Sequence, residues 1–212
     1  MHVRHWQGDT PHENLAIDET LLDACEIQGT PALRVWESPT YFVVMGRSGK
    51  REEEACVDVC ERDGVPILAR CSGGGTVLQG PGCLNYTVVL PFSFHPSLGS
   101  ISGTTAFVME KMRQVVAQFE PDVAIQGISD LALFRDGAWL KVSGNAQRRR
   151  YRAFLFHGTL LYNFNLDQVT RYLQIPKRQP AYRDQRAHHQ FVMNLAVSKD
   201  QLIDAFSDVW QR

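Results

Sequence analysis

Apolar and polar positions follow two rhythms along this chain, and the rhythms divide it into elements. Behind Thr10, Pro11 and Glu13, the residues Leu15, Ile17, Leu21, Leu22 and Cys25 recur near helical spacing; with that cap and proline they predict a helix running to Ile27. Short apolar runs over 32–37 and 41–46 flank Ser38-Pro39-Thr40 and predict two strands joined by a turn. Glu52-Glu53-Glu54 opens a second helix that ends at Asp63-Gly64, because acidic residues suit a helix start and glycine its end. Residues 65–69 and 84–90 read as strands, with a glycine loop and the turn Gly80-Pro81-Gly82 between them. A loop over 91–103 precedes an amphipathic helix over 104–119, whose Phe107, Val108, Met112, Val115, Val116 and Phe119 face a core. Strands follow at 123–126, 131–134 and 139–143, the last two joined by the hairpin dipeptide Asp136-Gly137, and then at 154–164. Residues 166–173 and 198–210 read as helices capped by Asn165 and Ser198, and 182–189 as a polar loop. Interleaved strands, helices and hairpins predict an α+β (mixed α/β) domain around a largely antiparallel sheet flanked by helices.

Composition narrows the class. A chain of 212 residues that is 44% hydrophobic can bury one sizeable core, which favours a single domain over 1–212. A formal net charge of -1 gives no reason to expect nucleic-acid or anionic-membrane binding. The N-terminus has no apolar leader segment and no run reaches a membrane-spanning length, which together predict a cytoplasmic protein. Five cysteines, an odd number with no CxxC pair, argue against a disulfide framework and a structural zinc site. Cys56 and Cys60 share a helix face and are read as small core residues, and His188-His189 lacks a third ligand at metal spacing.

Two stretches carry chemistry. In Arg70-Cys71-Ser72-Gly73-Gly74-Gly75-Thr76, three glycines let backbone amides approach an anionic or planar group closely, and Arg70 adds a planar cation suited to a carboxylate or phosphate. The stretch lacks the lysine and spacing of a P-loop, and no GxGxxG opens a helix after it. In the second, Lys141 follows Trp139 and Leu140, a setting that buries its stem and holds its ammonium in place, while Ser143 and Gly144 let the chain turn behind it. Arg148-Arg149-Arg150-Tyr151-Arg152 is either a solvated hairpin end or a contact for an acidic partner.

Read together, Asn14-Leu15-Ala16-Ile17-Asp18-Glu19, Arg34-Val35-Trp36, Val44-Met45-Gly46-Arg47, the Arg70 loop with Asn85-Tyr86, Gly127-Ile128-Ser129-Asp130-Leu131, the Lys141 segment and His157-Gly158-Thr159 resemble the lipoate and biotin protein ligases. The glycine loop and the surroundings of the lysine are closer to the lipoate-protein ligase and octanoyltransferase branch. The resemblance implies activation of lipoate or octanoate by ATP, with Mg2+, to an acyl-adenylate, and transfer of the acyl group to a lysine of a lipoyl carrier domain. Such carriers are of the glycine-cleavage H protein or 2-oxoacid dehydrogenase E2 type. It implies Lys141 as the catalytic residue bridging acyl carbonyl and phosphate oxygens. Arg70, Ser72, Gly73, Gly74, Gly75, Thr76, Asn85, Ser143, Gly144, His157 and Gly158 would bind the acid and adenylate, and Asp130 would stand near the nucleotide and its magnesium. Longer ligases carry a C-terminal accessory domain that this chain is expected to lack, so a separate accessory chain is a possible partner. Ser48-Gly49-Lys50 departs from the polar Asn-Gln pair common after the Gly46-Arg47 equivalent.

Two other functions compete. An ATP-independent octanoyltransferase drawing on acyl carrier protein needs a thiolate in the acyl site, downstream of the lysine segment by resemblance, and no cysteine follows Cys83. A non-catalytic module binding lipoyl domains or acyl-adenylate would have no use for Lys141.

Overall fold

The computed structural model describes residues 3–211. Its central sheet has five strands in the order β1 (Val3–His5), β2 (Ala32–Trp36), β6 (Cys83–Pro91), β11 (Ala153–Leu161) and β10 (Asn145–Arg149). Only the β1–β2 pairing in it is parallel. Alternation along β6 and β11 sends Tyr86, Val88, Leu90, Phe154 and Phe156 to one face, packed against α4 (Ile101–Ala117) and α6 (Lys199–Gln211). Ala32, Val89 and Leu155 go to the other face, under α1 (Pro11–Gln28). The α1 start forms as its residues predict: Thr10 and Glu13 make a reciprocal capping box, and Gly29 closes the helix at φ 70°.

Two three-stranded sheets flank this core. One joins β3 (Phe42–Met45), β4 (Ile67–Ala69) and β5 (Val77–Gln79), with β3 central; the other is the meander β7 (Ala124–Gln126), β8 (Asp130–Arg135) and β9 (Ala138–Ser143). Asp136 and Gly137 turn the second hairpin with φ of 49° and 80°, the left-handed pair this turn requires. The mixed α/β class and the prevalence of antiparallel pairing agree with the sequence reading; the division into three sheets does not follow from it.

Four local differences have physical causes. The helix expected from Glu52 to Asp63 is two, α2 (Arg51–Glu54) and α3 (Val57–Arg62), because the backbone between them is drawn sideways. Ala55 bridges Leu173, and the Cys56 amide donates to the Tyr172 carbonyl at the end of α5 (Asp167–Tyr172). The helix expected from Thr104 begins at Ile101, capped by the Ser100 hydroxyl on the Gly103 amide. Gly103 is tolerated there because any Cβ would strike the Ser97 carbonyl. Strand β5 lies inside what reads as loop, and β10 escapes notice because Asn145–Arg149 has no apolar alternation. Its Arg149 does not face solvent as a free charge; it donates to the Leu98, Gly99 and Ser100 carbonyls and to Thr104.

Candidate active site

The glycine loop folds back over β3 and β4, where the Arg70 amide donates to the Met45 carbonyl and the Arg47 amide to that of Ser72. Gly46 is required beneath it, since a Cβ at that position would collide with the Gly74 carbonyl. Arg70 differs from expectation. Its guanidinium donates to Ser72 Oγ at 3.0 Å, the Val44 carbonyl at 3.2 Å, the Gly73 carbonyl at 2.6 Å and the Gly75 carbonyl at 2.9 Å. Burial lowers its pKa to about 10, so it stays cationic at neutral pH while being consumed by the loop. Arg70 therefore gathers the loop's carbonyls inward rather than presenting its charge as a free clamp. The amides of Gly73, Gly74 and Gly75 make no hydrogen bond among the described residues, and Gly74 takes φ 93°. Those amides, more than Arg70, are the groups the loop leaves available to an approaching acceptor.

Lys141 comes from the middle of β9. Its main chain is fastened on both sides, the amide to the Phe191 carbonyl at 2.8 Å and the carbonyl to the Met193 amide at 2.9 Å. The ammonium lies 2.8 Å from Asp130 Oδ1, and the other carboxylate oxygen accepts from the Tyr182 hydroxyl, also at 2.8 Å. Burial, and then the Asp130 charge, push the Tyr182 phenol pKa well up, so it stays a donor. Gly144 makes room for the lysine: a Cβ there would sit 2.7 Å from both Cε and Nζ. The result is a cation with little freedom, a quarter exposed, held over a cavity.

That cavity, about 250 Å³, runs between the glycine loop and the central sheet. Arg70, Gly75 and Thr76 line it from the glycine loop, Asn85, His157 and Gly158 from the central sheet, and Asp130, Lys141 and Gly144 from β8, β9 and the turn after it. Leu15, Trp36, Val44 and Val77 supply an apolar end. A second cavity of about 780 Å³ adjoins it across Gly75, Thr76, Lys141 and Gly144, and takes in Gly74, Ser143, Lys50, Lys177 and Arg178. Ser72 and Gly73 line neither; Ser72 is buried with its Oγ 2.6 Å from His157 Nε2. Ser143 accepts from the Asn145 amide at 3.2 Å, and Thr76 donates to Glu54. Gly158 is needed because a Cβ would overlap Asn145 Oδ1.

Several site residues were not singled out by sequence. Gln79, on the strand that reads as loop, buries a side-chain oxygen without a partner, as the expected residue Asn85 also does, and both line the smaller cavity. Asp18 also reaches it from α1; it stands in the Asn14–Glu19 motif of the resemblance, which gave it no role in the site. Cys71 is not among the lining residues, and burial drives its thiol pKa up to about 11.

A fixed ammonium, free loop amides and a cavity with apolar and polar lining make a site suited to an anionic head on an apolar tail. The chain belongs to the lipoyl protein ligase A/B catalytic domain family, whose sequence model matches residues 10–211. It is accordingly an enzyme of the lipoate-protein ligase and octanoyltransferase class. Over 204 residues it is 29% identical to a protein of Aeropyrum pernix provisionally named lipoate-protein ligase A, covering 96% of this chain and 72% of the other. It is 31% identical to the octanoyltransferase LipM of Carboxydothermus hydrogenoformans, covering 92% of this chain and 81% of that one. In fold it is similar to a lipoate-protein ligase A crystallised with ATP, with a TM-score of 0.81, 21% identity, and 99% and 83% of the two chains covered. It is also similar to a chain from the bi-partite lipoate protein ligase system of Thermoplasma acidophilum, with a TM-score of 0.78, 23% identity and the same coverage.

Proposed function

We propose that this enzyme is an ATP-dependent lipoate-protein ligase that accepts lipoate or octanoate. The observation that carries the reading is the pairing of Lys141 with a cavity that no cysteine lines among the described residues. The apolar end formed by Leu15, Trp36, Val44 and Val77 suits a medium-length acyl chain, and its carboxylate would then lie between the free glycine amides and Lys141. The larger cavity, edged by Lys50, Lys177 and Arg178, suits a triphosphate.

In the first step a carboxylate oxygen attacks the α-phosphorus of ATP, the bond to the β-phosphate breaks, and pyrophosphate leaves. Lys141 lies where charge builds on the oxygens of both groups, and being already positioned it needs no reorganisation. In the second step the ε-amine of an acceptor lysine attacks the acyl carbon; the carbon–oxygen bond to AMP breaks and the amine's proton departs. Among the described residues no three His, Cys, Asp or Glu side chains group to hold a metal, and Asp130 is already paired with Lys141 and Tyr182. Magnesium would therefore arrive on the triphosphate, with Asp130 as the carboxylate beside it.

The acceptor is a lipoyl domain of the E2 or H-protein kind; the Thermoplasma acidophilum study that yielded one structural relative includes an E2 lipoyl domain and describes its ligase as bi-partite, which supports a separate accessory chain as a further partner. We place the reaction in the cytoplasm, where ATP is available. The competing transferase, favoured by the likeness to LipM, needs a thiolate that Cys71 does not supply. The deciding experiment mixes the chain, an accessory chain if one is needed, and a lipoyl domain with lipoate or octanoate. Acceptor mass should rise only with ATP; acylation from octanoyl acyl carrier protein without ATP would overturn the ligase reading.

A further inference from the structure

The sheet face under α1 carries polar side chains that the proposed chemistry leaves unused. Register places Arg34 of β2 and His157 of β11 on either side of Thr87 of β6, so three polar residues cross the middle of a buried sheet in one row. Asp18 meets this row from α1. Its Oδ1 accepts from Arg34 and from Thr87, each at 2.8 Å, and its Oδ2 stands 3.1 Å from His157 Nδ1. At the far end, His157 Nε2 is 2.6 Å from Ser72 Oγ, where the glycine loop begins. Asp18, Arg34, Thr87 and Ser72 are at most 3% exposed.

Arg34 can only donate, so Asp18 Oδ1 accepts from it, and Asp18 Oδ2 faces His157 Nδ1 as an acceptor. Ser72 Oγ accepts from Arg70 Nε at 3.0 Å, and we assign its own proton to His157 Nε2, because that contact at 2.6 Å is far shorter than the 3.5 Å to the Gly73 carbonyl. The row thus runs from the buried Arg70, through Ser72, His157 and Asp18, to the buried Arg34.

We propose that Asp18 and Ser72 are positioning residues that act through His157, holding its ring with Nδ1–H on Asp18 so that the glycine loop keeps the Gly75 amide at the acyl cavity. The proposal rests on the ligase reading only for the identity of the acid that amide meets. Reversing Asp18 from acceptor to donor, as in Asp18→Asn, makes His157 carry its proton on Nε2. Ser72 then receives two donors and its own hydrogen has only the long Gly73 contact. Ser72→Ala removes the loop's hold without touching Arg34. Both changes leave Lys50 and Lys177 in place, but Gly74 and Gly75 of the loop line the larger cavity too, so the effect falls first on the acid and to a smaller degree on the nucleotide.

The test combines calorimetry of octanoate binding, steady-state kinetics and nitrogen-15 spectra of the histidine rings. Wild type should show His157 protonated at Nδ1. Ser72→Ala should weaken octanoate binding and raise its KM about tenfold, the loss of one strong hydrogen bond, with a smaller rise in KM for ATP. Asp18→Asn should move the His157 proton to Nε2, and the double variant should be no worse than the weaker-binding single one, because both act through one imidazole. A wild-type Nε2–H tautomer, octanoate binding by Ser72→Ala within twofold of wild type, or multiplying losses in the double variant would each overturn the proposal. Should Asp18→Asn fail to fold with Arg34 unpaired, the wild-type spectrum and Ser72→Ala still decide it. Failure of the ligase reading shows separately, as a wild-type enzyme that consumes no ATP, while the ring spectra and octanoate binding continue to test the relay.

Discussion

Gly144→Ala is the sharpest test of how Lys141 is armed, because it leaves the lysine itself in place. Gly144 is not among the residues with positive φ, so alanine fits the backbone without strain. Its Cβ, however, would stand 2.7 Å from both Cε and Nζ of Lys141. Unstrained carbon contacts need about 3.5–4.0 Å, so the end of the lysine must move by about 1 Å. That displacement breaks the 2.8 Å pairing with Asp130. A 1 Å misplacement of a catalytic group costs on the order of 10²-fold in rate, and we expect that loss in kcat/KM for ATP-dependent acylation of a lipoyl domain, read by acceptor mass. Thermal unfolding should stay within a few degrees of wild type, since the clash falls on a flexible side-chain tip. A Gly144→Ala enzyme working at the wild-type rate would refute the argument that the position of the ammonium, and not merely its presence, sustains catalysis.

Lys141→Ala should cost on the order of 10²–10³ in adenylate formation, measured by pyrophosphate release, and Lys141→Arg should not restore it, because a planar fork cannot take the place of a point charge between two oxygens. Substantial activity in either variant would remove Lys141 from the mechanism. Cys71, with its thiol pKa near 11, should resist iodoacetamide at pH 8, and Cys71→Ser should keep most activity; an octanoyl adduct removable by hydroxylamine and absent from that variant would point to thioester chemistry instead. Burial lowers the His188 pKa below 6.5, while its Nε2 donates to the Gln174 carbonyl. The unfolded chain therefore binds the extra proton more readily, and the stability this neutral ring contributes is intact above pH 6.5 and lost as pH falls below it. Protection factors over residues 174–191, which correct for the slower intrinsic exchange in acid, should fall at pH 5.5 relative to 7.5 in wild type; a His188→Gln variant should not share that pH dependence.

Periodicity and cap chemistry made α1, α6, the Asp136-Gly137 hairpin and the long central strands legible, because each is dictated by neighbours close in sequence. Where distant chain overrides local preference, the reading failed: α2 and α3 separate because Leu173 and Tyr172 claim the intervening backbone. Strand β10 is polar because its side chains grip neighbouring loops instead of filling a core. In the site, Lys141 and the glycine loop were visible as departures from their surroundings, a lysine in an apolar strand and three glycines in a row. The inward commitment of Arg70 was not visible, since it depends on carbonyls that converge only after the loop folds over Val44. Gln79 gave no signal of its own and Asp18 none of its role, because only the β3–β5 register and the packing of α1 on the central sheet bring them to the cavity.

Asp130 has two clients. One oxygen holds Lys141 and the other the Tyr182 hydroxyl, while the lysine's own backbone is fastened to Phe191 and Met193. The stretch from Tyr182 to Met193 is thus both a wall of the site and a brace for its charge. A movement that drew this stretch outward would slacken the lysine at the same moment that it admitted water. One segment thus serves both enclosure and charge placement, so neither can change without the other.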